Sequence, residues 1–170
     1  MTRTPERTNY LWRRNRSVSS SPTSGSAGDV IFRTDLGNFF KWDATRSKWL
    51  SLSLTTVTFS SNAIANGVYM DYHGLVCTAA FGYRVLRPNV TIVGWQVLQK
   101  TVAVGTNTWR IIKNGGAIAQ LTITNPALSA ESLATNLDMS STNILAGFYL
   151  SGPAPKPEAV LNVFLREKAA

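Results

Sequence analysis

Between residues 29 and 166, the sequence is a series of short apolar and aromatic runs separated by residues that favour turns. Such runs, at a spacing of about 8–12 residues, predict the strands of an all-β fold. No segment has the sustained periodicity of a long helix. One short helix is an alternative interpretation of residues 127–137, but Pro126 before them and the small size of the segment favour a connection within a sheet protein.

The clearest local signal is the hairpin predicted at Asn114-Gly115-Gly116. In the preceding segment, 108–113, the residues alternate, with Trp109 and Ile111 on one face and Ile112 on the other. An Asn-Gly pair between two alternating runs favours a tight turn. The strands predicted for the main domain are 54–60, 67–72, 79–86, 90–99, 108–113, 117–124, 144–150 and 159–166. This number of strands predicts an antiparallel β-sandwich and favours a jelly roll.

A small three-stranded meander is predicted before the sandwich. Its strands are 29–33, 38–42 and 48–51, and the turns between them are rich in Asp, Thr and Gly. The aromatic residues of the meander are Phe32, Phe39, Phe40, Trp42 and Trp49. They are too many for so small a sheet to cover alone, so we expect them to pack against the main domain or another subunit. The predicted parts are an arm and linker (1–28), the meander (29–51) and the sandwich (52–170).

The arm is the most strongly charged part of the chain. The whole protein carries a net charge of +8, and residues 1–28 hold five arginines against one glutamate. The residues of interest in the arm are Arg3, Arg7, Tyr10, Leu11, Trp12, Arg13, Arg14 and Arg16. The segment 17–28 that follows consists mainly of Ser, Gly and other small residues, which predicts a linker.

Three interpretations of the arm are open. Arg, Tyr and Trp are enriched at the energetic centres of protein interfaces, which favours docking on a protein partner. Arginines and aromatic rings also bind the phosphates and bases of nucleic acids. A solvated tail is the third possibility. We expect docking, and expect nucleic acid not to be the partner, because counterion release alone requires no tryptophan.

The sequence offers little to catalysis. His73 and Cys77 are the only residues of their kinds, so one chain cannot form a two-histidine metal site or a disulfide. We expect His73 to be a polar turn residue and Cys77 a small buried one. The acidic residues are scattered, and neither a nucleophile elbow nor a phosphate-binding loop is present. We therefore expect a protein without enzymatic activity, cofactor or metal. With no long apolar run, we also expect a soluble chain with no membrane partner, suited to a reducing cytoplasm.

Two segments resemble virion proteins of tailed bacteriophages. Residues 28–37 read GDVIFRTDLG, and FFKWD and TRSKWLS follow at 39–43 and 45–51, as in a module of these proteins. The turn that usually reads Asp-Gly-Thr-Arg has Ala44 in the second position here. The carboxy-terminal half is similar to the small sandwich domains that end head fibres, tail fibres and capsid decoration proteins. Its matching segments are WRIIKNG at 109–115, Leu137, GFYLSG at 147–152 and VLNVFLR at 160–166.

The resemblance implies a non-enzymatic virion component, usually trimeric, assembled in the host cytoplasm. A short basic arm in place of a long shaft favours a capsid decoration (cement) protein on the outer surface of the capsid. In that interpretation the arginines pair with acidic groups of the major capsid protein, and Tyr10, Leu11 and Trp12 fill pockets between its subunits.

The alternatives predict different ligands. A fibre or receptor-binding knob would bind a carbohydrate or host surface. A jelly-roll coat protein with a basic inner arm would package nucleic acid with steep salt dependence. A fibre-borne glycan hydrolase would require an acidic cleft, for which the sequence shows no candidate.

Overall fold

The computed structural model of the chain describes residues 15–62, 65–85, 89–102, 105–153 and 158–169. The regular elements in these ranges are β-strands, so the predicted all-β class is confirmed. No helix capable of crossing a bilayer occurs in this part of the chain. The chain divides into two compact units. Unit 1 contains the described residues up to Leu54 together with Arg166 to Ala169, and unit 2 contains Thr55–Leu165.

Unit 1 is built on a four-stranded sheet. Its strands, in sheet order, are β1 (Asn15–Val18), β2 (Val30–Arg33), β3 (Asn38–Asp43) and β4 (Lys48–Ser51). Strands β2 to β4 are the predicted antiparallel meander. Strand β1 is an addition from the segment that the sequence assigned to the arm and linker, and it pairs parallel to β2. Its sequence, Asn-Arg-Ser-Val, has no apolar alternation, so the partner strand rather than the local pattern determines its conformation.

The end of the chain belongs to this first unit. Lys168 forms a bridge with Leu50, and the amide of Ala169 donates a hydrogen bond to the carbonyl of Trp49 at 3.0 Å. Arg166 Nη1 donates to the carbonyl of Ser51 at 2.9 Å. Residues 166–169 therefore lie beside β4, although they are distant from this strand in the sequence.

Unit 2 consists of two sheets. Its strands are β5 (Thr55–Ser61), β6 (Val68–Tyr69), β7 (Asp71–Tyr72), β8 (Leu75–Val76), β9 (Tyr83–Arg84), β10 (Val90–Gln99), β11 (Thr106–Lys113), β12 (Gly116–Thr124), β13 (Ser129–Ser132), β14 (Leu137–Met139), β15 (Ile144–Ser151) and β16 (Ala159–Glu167), the last two residues of β16 being assigned to unit 1. One sheet has the order β13-β10-β16-β5-β7-β8, with β14 also paired to β10. The other has the order β12-β11-β15-β6, with β9 also paired to β15.

The order of these strands is that of a jelly roll. The sandwich has eight segments if β6 and β9 together count as the second, and β13 and β14 together as the sixth. In one sheet the segments then lie in the order first, eighth, third, sixth. The other runs second, seventh, fourth, fifth. The chain thus alternates between two sheets in the way of two interlocked Greek keys. The predicted β-sandwich, and its jelly-roll connectivity, are confirmed.

A single apolar cluster fills the space between the two sheets. Its largest fully buried members are Trp95, Trp109, Tyr149 and Phe59. At Gly147 on β15 the sheets approach so closely that a Cβ atom would lie 2.9 Å from Met70 Sδ and 3.0 Å from Phe59 Cβ. Only glycine fits such a contact without displacing its neighbours.

The hairpin predicted at Asn114-Gly115 is confirmed. Both residues have positive φ, 48° and 82°, as a two-residue hairpin turn requires, and Lys113 pairs with Gly116 across it. The Asn114 side chain also accepts a hydrogen bond from the Ile144 amide at 2.8 Å.

Two other expectations need correction. The alternative of a short helix in 127–137 is wrong, because Ser129–Ser132 and Leu137–Met139 form strands that pair with β10. Of the strand predicted at 79–86, the described residues 79–85 contain only Tyr83–Arg84 as a strand, because residues 79–82 form bends and a tight turn in which the Thr78 amide donates to the Phe81 carbonyl.

Candidate docking site

The candidate docking residues fall in two places. Arg3, Arg7, Tyr10, Leu11, Trp12, Arg13 and Arg14 lie outside the described residues. Arg16 lies in β1, at the register position of Ile31. The structure therefore describes the segment that directly follows the arginine-rich stretch, residues 15–28, which we call the arm root.

The backbone of the arm root is built into the sheet of unit 1. Strand β1 runs parallel to β2 from the Asn15–Val30 pair to the Val18–Arg33 pair. Immediately after β2, the amide of Thr34 donates to the carbonyl of Val18 at 3.0 Å. A parallel pair requires a crossover connection, and residues 19–29 supply it. The predicted linker is therefore the crossover of a parallel strand pair.

The guanidinium of Arg33 joins the crossover to the first turn of the meander. Nε and Nη2 donate to the two carboxylate oxygens of Asp35, and Nη1 donates to the hydroxyl of Ser21. Arg33 is buried, and the planar fork of its side chain matches the carboxylate bidentately. These hydrogen bonds hold the pKa of Asp35 below its usual value and raise that of Arg33. The motif Arg-Thr-Asp-Leu-Gly thus closes a turn and binds the arm root.

The indoles of the meander hold the middle of the arm root. Trp49 Nε1 donates to the carbonyl of Pro22 at 2.9 Å. The rings of Trp42 and Trp49 meet edge to face with centroids 5.4 Å apart. Gly25 lies against both, since a Cβ atom there would be 2.8 Å from Trp49 Cζ2 and 2.9 Å from Trp42 Cγ. Gly25 is therefore required for close packing of the crossover against the two indoles.

The five meander aromatics have different surroundings. Phe40 and Trp49 are buried in a small core with Ile31 and Ala169, against which Trp42 also packs. Phe32 and Phe39 form a tilted pair with centroids 4.8 Å apart. Phe39 remains 48% exposed, and Leu36 in the adjoining turn is 41% exposed. Packing of Phe32 and Phe39 against a further partner stays a prediction.

Of the two residues considered for catalysis, His73 lies in a turn and Cys77 lies in the apolar core. His73 has a φ of 51° in the turn between β7 and β8, and its ring contacts that of Tyr72 with centroids 4.3 Å apart. Cys77 is 1% exposed, and burial raises the pKa of its thiol to about 11, with the nearby Asp71 adding to the effect. In the ranges that the structure describes, no three or more His, Cys, Asp or Glu side chains gather into a possible metal site.

Sequence reasoning missed the residues that hold the arm root, which are Ser21, Pro22, Gly25, Arg33 and Asp35. The sequence contained one signal for the pair of Arg33 and Asp35. Arginine and aspartate at i and i+2, separated by one residue at a strand end, can form a bidentate pair across the start of a turn. The bond of Arg33 to Ser21 and that of Trp49 to Pro22 join residues 12 and 27 positions apart, and no local pattern encodes either pairing.

Comparison with known proteins identifies no family for this chain. No protein-family model matches the sequence, and no curated protein matches it. Among solved structures, a chain of infectious bursal disease virus, Gt strain, is similar, with 13% sequence identity and a TM-score of 0.28. The match covers 89% of this chain and 47% of that one, so this chain spans about half the length of the chain it matches. A likeness of this degree carries no argument about function.

Proposed function

We propose that the chain is a virion structural protein of the tailed-bacteriophage type, a capsid decoration (cement) protein. Its arginine-rich arm docks on the major capsid protein, and its sandwich domain lies on the outer surface of the shell. The resemblance of residues 28–51 and of the carboxy-terminal half to such proteins supports this role. The jelly roll is compatible with it, since capsid and lectin domains share that architecture, but the fold alone does not specify a function.

The observation that carries the proposal is the anchored arm root. The arginine-rich stretch leads directly into β1, which pairs with β2, and Arg33 and Trp49 hold the residues after it. A solvated tail requires no such anchorage. An arm whose root is held in one direction loses less conformational entropy on binding, and its arginines reach a neighbouring surface at a higher effective concentration.

The mechanism follows from linked binding. The arginines pair with acidic groups of the shell, while Tyr10, Leu11 and Trp12 occupy apolar pockets between its subunits. A partner that binds only the assembled shell stabilises it by mass action. In a trimer of this chain, three arms act together, so that weak single contacts give a tight complex. No step of this mechanism requires catalysis or a cofactor.

The test is co-sedimentation of the full chain with capsids purified from the phage that encodes it. Substitution is preferable to truncation at Gly28, which would remove β1 and the residues bound to Arg33 and Trp49. One variant replaces Arg3, Arg7, Arg13 and Arg14 by Gln; a second replaces Tyr10, Leu11 and Trp12 by Ala. A control replaces four basic residues of the body by Gln, namely Lys41, Arg84, Lys100 and Arg110.

We expect both arm variants to lose capsid binding and the control to keep it. Rising salt should weaken capsid binding by the wild type, because exposed ion pairs are screened. It should also weaken any binding that the variant at Tyr10, Leu11 and Trp12 retains. If the arm variants sediment with capsids as the wild type does, the arm is not the docking element. If the wild type ignores capsids but binds a labelled DNA duplex with a steep salt dependence, the coat-protein alternative replaces the proposal.

A further inference from the structure

The two sides of the sheet in unit 1 have different surroundings. Successive side chains of a strand point to opposite sides of its sheet. Ile31, Phe40 and Trp49 lie on one side, in the small core of this unit. Phe32 and Phe39, which alternate with the first two of these residues, therefore lie on the other side, where they pair across β2 and β3.

A row of four residues crosses the side of the sheet that faces away from the small core. Phe32 pairs with Ser17 of β1 and with Phe39 of β3. The amide of Leu52, directly after β4, donates to the carbonyl of Phe39 at 3.1 Å and so continues the row. We call these four residues the cross-strand row.

The cross-strand row presents apolar surface to solvent. Phe39 is 48% exposed and Leu52 is 49% exposed. Leu36, in the adjoining turn, is 41% exposed. Contiguous exposed apolar side chains mark interaction sites more often than isolated ones do. This side of unit 1 is therefore a candidate docking surface.

The arm enters the sheet at the strand that begins this row. Strand β1 is the first in the sheet order, and its first residue, Asn15, precedes Ser17 by two positions. Since a strand rises about 3.3 Å per residue, Asn15 lies about 7 Å from the row. Trp12 precedes Asn15 by three positions, and extended chain spans at most about 3.6 Å per residue. A surface that holds Trp12 is therefore within about 11 Å of Asn15, at the edge of this sheet.

The charge of unit 1 indicates the chemistry of the partner. The two segments of the unit, Met1–Leu54 and Arg166–Ala170, contain eleven Lys and Arg against five Asp and Glu, so that they hold +6 of the net charge of +8. Two copies of this unit would repel each other, whereas an acidic surface would attract it. The aliphatic Leu36 and Leu52 offer no ring on which a nucleic-acid base can stack, so the row suits apolar side chains of a protein.

We propose that the cross-strand row is a second docking surface for the shell protein that binds the arm. This role rests on the proposed function, because the arm is what brings the shell to the sheet. Phe39 and Leu52 pack into an apolar patch of the major capsid protein, and the arginines of the arm pair with acidic groups beside it. Because one sheet carries both elements, binding of the arm raises the effective concentration of the row at the shell.

Co-sedimentation of the full chain with purified capsids tests the row. The double variant Phe39→Ser/Leu52→Ser, the row variant, retains every residue of the arm. It should weaken capsid binding about tenfold, because apolar anchors at an interface lose their buried contacts. The matched control is Leu75→Ser/Leu133→Ser in unit 2, whose leucines are 60% and 58% exposed. It should bind as the wild type does.

A measurement on the wild type keeps the proposal testable if the row variant fails to fold. Hydroxyl-radical footprinting compares the oxidation of each side chain in the free protein and in the capsid complex. Phe39 and Leu52 should become protected on capsids, while Leu75 and Leu133 should react equally in both states.

The row and the proposed function fail in different ways. If the wild type does not sediment with capsids, both are overturned. If the arm variants lose binding but the row variant and its control bind as the wild type does, with Phe39 equally reactive in both states, the arm docks alone and only the row is overturned. The row is also overturned if its variant keeps capsid binding and instead loses affinity for a labelled DNA duplex, or has a lower oligomeric state in sedimentation velocity; a nucleic acid or a second copy would then be its partner.

Discussion

The guanidinium of Arg33 donates two hydrogen bonds to the carboxylate of Asp35, from Nε to Oδ1 at 2.8 Å and from Nη2 to Oδ2 at 2.7 Å. The same guanidinium donates from Nη1 to Ser21 in the arm root. One side chain therefore closes the turn after β2 and holds the crossover that follows the arginine-rich stretch. The segment Arg33-Thr34-Asp35 is therefore the anchor of the arm root.

Asp35→Asn should make the stability of unit 1 less dependent on pH. The pKa of Asp35 is lowered by the Arg33 hydrogen bonds, so the stabilisation is present above the ordinary carboxyl pKa of about 3.9 and is lost as the pH falls through the lower folded value. Thermal melts should place the wild type above the variant at neutral pH, with the gap closing in strong acid. A gap of equal size at both pH values would show that the charge of Asp35 is not what stabilises the turn.

Gly147→Ala should destabilise the sandwich by about 1–3 kcal/mol, because the new methyl would overlap Met70 and Phe59. Urea denaturation measures the change. The matched control is Gly116→Ala, where the nearest atom would lie 3.5 Å away, an ordinary contact, and the change should stay within about 0.5 kcal/mol. Equal stability of the two variants would contradict the packing that the structure shows between β15 and β5.

Cys77 should resist thiol reagents in the folded protein and react fully after unfolding. Burial raises the pKa of its thiol from 9.0 to about 11, so the folded chain holds the proton longer than the unfolded chain does. The free energy of unfolding should therefore fall as the pH rises from 9.0 to about 11. Urea denaturation across this interval should show a smaller fall for Cys77→Ala than for the wild type; an identical fall would mean that other groups account for it.

Strong alternation and turn chemistry allowed most of the sandwich and the meander to be predicted. Val90–Gln99 and Lys48–Ser51 match their predicted bounds, and the Asn114-Gly115 turn requires the two positive φ angles that its residues adopt readily. In the segment 127–137, expected to be a connection with a short helix as the alternative, the strands Ser129–Ser132 and Leu137–Met139 were missed. Its Ala, Leu and Glu residues do not favour strands, and pairing with β10 imposes them.

The functional features could be predicted only in part. The arm is visible as charge in the sequence, but the contacts of Arg33 with Ser21 and of Trp49 with Pro22 depend on the fold.

Gly25→Ala should separate the anchorage of the arm from the stability of the sandwich. The added methyl would overlap the indoles of Trp49 and Trp42, so the crossover must move away from them, at a local cost of about 1–3 kcal/mol. Hydrogen exchange should become faster in residues 17–28 and stay unchanged in 90–99. The exposed neighbour provides the control, since Ser24→Ala should alter neither segment.

The same pair of variants tests what the anchorage contributes to docking. If the held root is what directs the arginines to the shell, Gly25→Ala should co-sediment with capsids less well than Ser24→Ala, although both retain every arm residue. The loss should be partial, because a released arm can still bind but pays more conformational entropy on doing so. Faster exchange in 17–28 with unchanged capsid binding would show that the root holds unit 1 together without directing the arm.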